Sequence, residues 1–173
     1  IPPEITRITG IDDQMMVGAP SLFSVRQKIR SALSDRMIVG HNVSFDMGFL
    51  EAEGFGLRQH RLDTITLASI LIPEAGRYGL EALVNFLNLT NPAGKQTHRA
   101  LDDVRQTVEL FFEFRRRALK LDLSTLREIT EAGSRIGWPE NAFFEGVLAI
   151  KGQDAFFNPP KRKGRLPKLF SAP

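Results

Sequence analysis

His98-Arg-Ala-Leu-Asp-Asp-Val-Arg-Gln-Thr107 is the stretch on which the reading of the chain turns. A histidine follows the loop residues Pro92, Gly94 and Lys95, and two acids come four and five residues later, where a helical pattern begins. Helical phase separates the acids. Asp102 falls on the side of Arg105, Gln106 and Glu109, a solvated face. Asp103 falls with Thr107, Leu110 and Phe114, a face that turns partly inward. A carboxylate at the head of an apolar stripe costs free energy unless positive charge compensates it. Either the helix N-terminus or a bound cation meets that need. A histidine five residues away can take a proton from a nearby water. As a helix start alone, the pair of acids is explained equally well by the dipole.

Upstream, Met37-Ile-Val-Gly40 is a short apolar run, expected to be a buried strand. It leads into His41-Asn-Val-Ser-Phe-Asp-Met-Gly-Phe-Leu50, a helix that Asn42 or Ser44 is expected to cap and Gly54 to stop. Asp46 lies in its first turn, on the stripe shared with Phe49 and Leu50. A second acid therefore sits at the start of a helix and at the carboxyl end of a strand. In open α/β sheets that is where sites gather. The dipole accounts for this acid too.

Between these stretches, Arg61-Leu-Asp-Thr64 reads as a strand turning into a helix, with Asp63 as the cap and Pro73 as the end. Gly79 precedes an amphipathic helix with Leu80, Leu83, Val84 and Leu87 on one stripe. The helix after His98 is expected to run to about Lys120, with Leu101, Val104, Val108 and Phe111 packed inward and Arg115–Arg117 favouring its C-terminus. At the front, Pro2 and Pro3 open a short helix that Gly10 ends, and Asp12 caps the next turn. Ser21 caps a third helix, with Leu22, Val25, Ile29 and Leu33 inside and Arg26, Lys28 and Arg30 outside. After Asp122 come a short helix over 124–132 and another opened by Trp138-Pro-Glu140. Residues 158–173 show no periodicity and read as a basic linker.

Length and composition bound the alternatives. With 173 residues and 42% hydrophobic content the chain suits one domain with an appendage. It has no cysteine, so thiolate and disulfide chemistry are excluded. No apolar run suits a membrane span and no signal pattern opens the chain, so the expectation is a cytoplasmic protein. The net charge of +3 misleads, because five basic residues (Lys161, Arg162, Lys163, Arg165 and Lys168) lie in the tail. Without those five of 23, 18 basic residues face 20 acidic ones, a body near −2. A nucleic-acid role must then rest on local clusters such as Lys95, His98 and Arg99. Arg58, His60 and Arg61 form another. Each cluster alone reads better as a solvated loop than as a binding patch.

Taken together, Asp46, His98 and Asp103 make a partial carboxylate cluster with a base beside it. Here the chain resembles the DnaQ-type 3′–5′ exonucleases of the DEDDh class. Ile38–Leu50 resembles the second exonuclease motif, whose acid falls on Asp46. His98–Asp103 resembles the third, with the histidine base on His98 and the metal-linked acid on Asp103. Leu62–Thr64 and Tyr78–Leu83 are similar to the spacers between them, and the likeness covers residues 1 to about 120. The resemblance implies an α/β, RNase H-like mixed sheet flanked by helices, and removal of 3′-terminal nucleotides from DNA, ahead of RNA, with two Mg²⁺ or Mn²⁺ ions. It puts His41, Asn42 and Phe45 near the terminal nucleotide, although Phe45 suits a core position equally.

The family's first motif, Asp-x-Glu-Thr on the first strand, is absent, and so are the three N-terminal strands that usually precede this point. Glu4 has no paired Asp and does not replace it. The expectation is a piece of a longer exonuclease: residues 1–120 the nuclease portion, 121–157 a helical C-terminal extension and 158–173 the linker. This chain alone would then hold at most half of the acid cluster. The extension and basic tail resemble the region before the helicase part of DinG-type bacterial helicases; the competing parent is a proofreading protein associated with a DNA polymerase. The alternative from another class is a non-catalytic nucleic-acid-binding or interaction module built on the same fold.

Overall fold

The computed structural model describes residues 1–89 and 100–157; His98 and the basic segment 158–173 lie outside them. The front of the chain is helical. Helix α1 (Pro3–Thr9) begins on the two prolines and ends on Gly10 in the left-handed region. Helix α2 (Asp13–Met16) is capped by Asp12, which accepts from the Met15 N–H. Helix α3 (Leu22–Leu33) is capped by Ser21, which accepts from the Ser24 N–H. These caps are local chemistry and stand where the sequence puts them.

Strand β1 (Ile38–Gly40) leads into α4 (Val43–Ala52), and β2 (Arg61–Asp63) leads into α5 (Thr64–Leu71). The strands run parallel, with Ile38 opposite Arg61, Val39 opposite Leu62 and Gly40 opposite Asp63. Among the described residues this pair is the whole sheet, so the antiparallel members of a mixed sheet are not among them. A short 3₁₀ turn (Pro73–Ala75) follows α5, then α6 (Leu80–Phe86). Helices α7 (Ala100–Ala118), α8 (Leu123–Ile136) and α9 (Asn141–Phe157) complete the described chain.

One continuous core joins β2 and the helices from α5 to α9. Leu62, Leu67, Ala68, Ile72 and Leu83 pack with Leu110, Phe114 and Ala118 of α7 and with Leu126, Phe143, Phe144 and Val147 of α8 and α9. The aromatic contacts are specific: Phe143 meets Phe111 and Phe144 edge-on, and Trp138 stacks on Phe144 with centroids 5.6 Å apart. Lys151 of α9 donates to the Leu119 and Leu121 carbonyls at 3.0 and 2.5 Å. It thereby supplies a cation and two donors where α7 leaves acceptors open.

Four expectations are corrected. β1 is not buried: Met37 and Val39 are exposed, because neither a third strand nor a second layer covers them among the described residues. Leu101, Val104 and Val108 do not pack inward; they are 61, 56 and 46% exposed and Phe111 is only half-buried. α7 is apolar on two faces, and Gln106, Thr107, Leu110, Glu113, Phe114 and Ala118 form the face that meets the core; Gln106, expected on the solvated side with Asp102, is therefore buried. α8 is longer than the expected 124–132, because its amphipathic stripe continues to the left-handed Gly137. Arg26 does not point outward. Its guanidinium lies 4.8 Å from the Phe55 ring centroid and donates to the Glu53 and Gly54 carbonyls, while Arg30 donates to the Phe55 carbonyl. α3 is thus pinned to the end of α4 by charged donors and aromatic contact more than by its apolar stripe.

Candidate active site

The open apolar face of α7 and the first turns of α4 enclose a cleft of about 1040 Å³. Its walls include His41, Phe45 and Asp46 from the β1–α4 segment, Gly79 and Leu80 from the start of α6, and Asp102, Asp103 and Val108 from α7. Two carboxylates picked out by the sequence, Asp46 and Asp103, therefore border one space although they start different helices. Asp46 is exposed and Asp103 half-buried. Asp102 also borders the cleft, held by Arg105 at 3.1 Å. The acid-bearing edge of α4 faces this open space, not a closed interior: Phe49 is 64% exposed.

The β1–α4 corner owes its shape to residues far along the chain. Neither Asn42 nor Ser44 caps α4 with its side chain. Asn42 sits in the left-handed region (φ 60°, ψ 46°), which asparagine tolerates better than most residues. The cap comes from Asp63 instead. Its carboxylate accepts the Asn42 N–H at 3.1 Å, the Val43 N–H at 3.0 Å and the Ile65 N–H at 2.9 Å. One acid thus caps both α5, as expected, and α4. Gly40 makes the approach possible, because a Cβ there would lie 2.9 Å from Val43 Cβ and Cγ2. Thr64 donates its hydroxyl to the Gly40 carbonyl at 3.2 Å, tying the two strand ends together.

His41 is held in the same corner. Its Nδ1 lies 2.9 Å from Thr64 Oγ1. Burial pushes its pKa below the ordinary 6.5; the Asp63 charge, a hydrogen bond to the Tyr78 carbonyl and the Asp103 charge oppose that shift. The Thr64 contact ties the end of β1 to the start of α5. Asn42 is exposed, with its N–H committed to Asp63. Phe45 is 63% exposed, which removes the core explanation for it, and it meets Phe49 edge-on with centroids 5.1 Å apart.

The acids bordering the cleft offer hard oxygen donors, the kind Mg²⁺ and Mn²⁺ take. Among the described residues no three His, Cys, Asp or Glu side chains converge as a metal cluster. The donors present suit such ions in kind and fall short of a two-ion site in number. No local pattern signals Asp63's double cap or the role of Glu140, which is buried and accepts the Asp63 N–H at 3.1 Å. Both acids read locally as helix-entry residues.

Residues 1–111 match the RNase_T family, described as Exonuclease. The chain belongs to this DnaQ-like exonuclease family. Among curated proteins it is 29% identical over 136 residues to a PolC-type DNA polymerase III of Clostridium perfringens, covering 76% of this chain and 9% of that one. It is 31% identical over 164 residues to the PolC-type polymerase III of Staphylococcus saprophyticus, covering 89% and 11%. The Thermotoga maritima counterpart is 28% identical over 158 residues, covering 88% and 11%. The chain thus spans about a tenth of the length of the curated relatives it matches. No solved structure matches. No helix among the described residues is long and apolar enough to cross a membrane.

Proposed function

We propose that this chain supplies most of a DEDDh-type, RNase H-like exonuclease domain that removes nucleotides from the 3′ end of DNA, with RNA the weaker substrate. The observation that carries the reading is the meeting of Asp46 and Asp103 at one cleft in a chain of the exonuclease family. In this reading residues 1–120 are the nuclease portion, 121–157 a helical extension seated on it, and 158–173 a basic linker.

The exposed β1 and the uncovered face of α7 support a larger sheet. Parallel strands are normally covered on both faces, and an isolated pair is marginal. Further strands, from polypeptide outside the 173 residues, would pair with β1, lie over Val104 and Val108, and bring the acids that the cleft lacks. Asp46 and Asp103 would hold Mg²⁺ or Mn²⁺ jointly with those acids. Bound ions of this kind supply charge stabilisation at the scissile phosphate and acidify an attacking water. His98 would take the proton from that water, since the sequence places it five residues before Asp103 and the ring of His41 is already engaged. His41 and Asn42 fix the corner beside the terminal nucleotide, and exposed Phe45 offers it a stacking surface.

The three relatives named above are DNA polymerases, so we place the domain within or beside a bacterial polymerase in the cytoplasm, as a proofreading activity, in preference to a DinG-type helicase. The test is a polarity assay, with Mg²⁺ and single-stranded DNA labelled at its 5′ end, of this chain joined to the polypeptide that supplies the missing acids. A ladder shortening from the 3′ end is expected. Immediate release of labelled mononucleotide, or cutting of a circular single strand, overturns the proposal.

A further inference from the structure

We infer that Glu140, in the helical segment after α7, is a positioning residue for the α4 wall of the cleft. The Asp63 N–H donates to Glu140 Oε1 at 3.1 Å across 77 residues of sequence. Glu140 is 6% exposed, and a carboxylate so buried must be compensated. Part of the compensation is its place at the entry to α9, where its own carbonyl accepts the Phe143 N–H and the helix dipole favours an anion. Its side chain reaches out to β2 and satisfies a backbone donor of that strand.

That contact is one link in a continuous run. Glu140 fixes the backbone of Asp63; the Asp63 carboxylate accepts the N–H groups of Asn42 and Val43; and these open the turn that presents Phe45 and Asp46 to the cleft. Glu140 is itself anchored, because Phe143 and Phe144 behind it are buried and Phe143 packs on Phe111, a residue of the opposite, α7 wall. The segment after α7 therefore sets the relation between the two walls. The structural claim stands apart from the exonuclease reading. Only its consequence for turnover rests on that reading.

The test is amide hydrogen exchange, read by NMR, in the full chain carrying Glu140→Ala or Glu140→Gln. Losing a charged acceptor should speed exchange at Asp63, Asn42 and Val43 about tenfold in the alanine variant. The glutamine variant, which keeps an acceptor oxygen, should exchange like the parent. Wild-type rates at Asn42 and Val43 in Glu140→Ala, or equal acceleration in Glu140→Gln, overturn the inference. Should the alanine variant fail to fold, Glu140→Asp, which withdraws the oxygen by one methylene, replaces it with the same two outcomes. In nuclease assays of the same variants, Glu140→Ala should lower kcat with KM unchanged and Glu140→Gln should restore it. These assays use the chain joined to the polypeptide that supplies the missing acids; an inactive unmutated form of it counts against the exonuclease reading and leaves the exchange result to judge Glu140.

Discussion

Replacing Asp63 with alanine removes three hydrogen bonds in one step, and the geometry allows the cost to be worked out. The carboxylate accepts from Asn42, Val43 and Ile65 at 3.1, 3.0 and 2.9 Å, so two helix starts lose their cap together. A lost cap costs about 1 kcal/mol, and a bond to a charged acceptor about 1.5–3 kcal/mol where water cannot replace it. Asn42 is exposed and water can reach its N–H, whereas Val43 is buried. The expected loss is therefore about 3 kcal/mol, below the sum of three charged bonds. In a chain of this size that is a fall in Tm of about 6–12 °C. Asp63→Asn keeps one acceptor oxygen but turns an amide N–H₂ toward a backbone donor, so about half the loss is expected. Asp63→Ser can still cap α5 but is too short to reach Val43, and it should fall between the two. The assay is equilibrium urea unfolding followed by circular dichroism, with the m-value checked for constancy. An Asp63→Ala variant within about 0.5 kcal/mol of the parent would show that the double cap carries no weight.

Two further outcomes follow from the same geometry. The folded pKa of His41 lies below its ordinary 6.5, so the unfolded chain binds the extra proton first as pH falls. Its contribution is fully present above pH 6.5 and is lost as pH falls below that toward the folded value. Unfolding free energies measured from pH 8 to 5 should therefore decline below 6.5, and His41→Gln should flatten that segment; an unchanged slope in the variant contradicts the assignment. Lys151→Met keeps the apolar stem and removes the donors to the Leu119 and Leu121 carbonyls. It should cost about 2 kcal/mol in urea unfolding, with loss of exchange protection confined to the end of α7 and its turn.

What the sequence discloses and what it hides divide along a physical line. Ser21, Asp12 and Gly10 act on neighbours within four residues, so their roles are legible from local pattern. The period of α7 is legible too, and Asp103 does fall with Thr107 and Leu110. Which apolar face of α7 meets the core is not, because periodicity reports a stripe and not what covers it. Leu101, Val104 and Val108 satisfy the pattern and lie open. Asn42 is a preferred cap by composition, yet its left-handed backbone leaves the capping to Asp63, a contact across 20 residues that no local signal announces. Glu140 hides in the same way, as an acid before a helix whose partner is 77 residues upstream. At the cleft, the two acids were legible from motif and phase. The engagement of His41 with Thr64 was not, since it depends on the register that sets Gly40 beside Asp63.

The most direct measurement of the central claim, that the cleft between α4 and α7 is the nuclease centre, is single-turnover degradation of 5′-labelled single-stranded DNA by the chain joined to the polypeptide that supplies the missing acids (the parent), and by its Asp46→Ala, Asp103→Ala and double variants. Loss of shared charge stabilisation should slow each single variant by about three orders of magnitude. The double variant should be little slower than either, because acids serving one centre do not act independently. Either single variant turning over at the parent's rate, or two losses that simply multiply, would contradict the account.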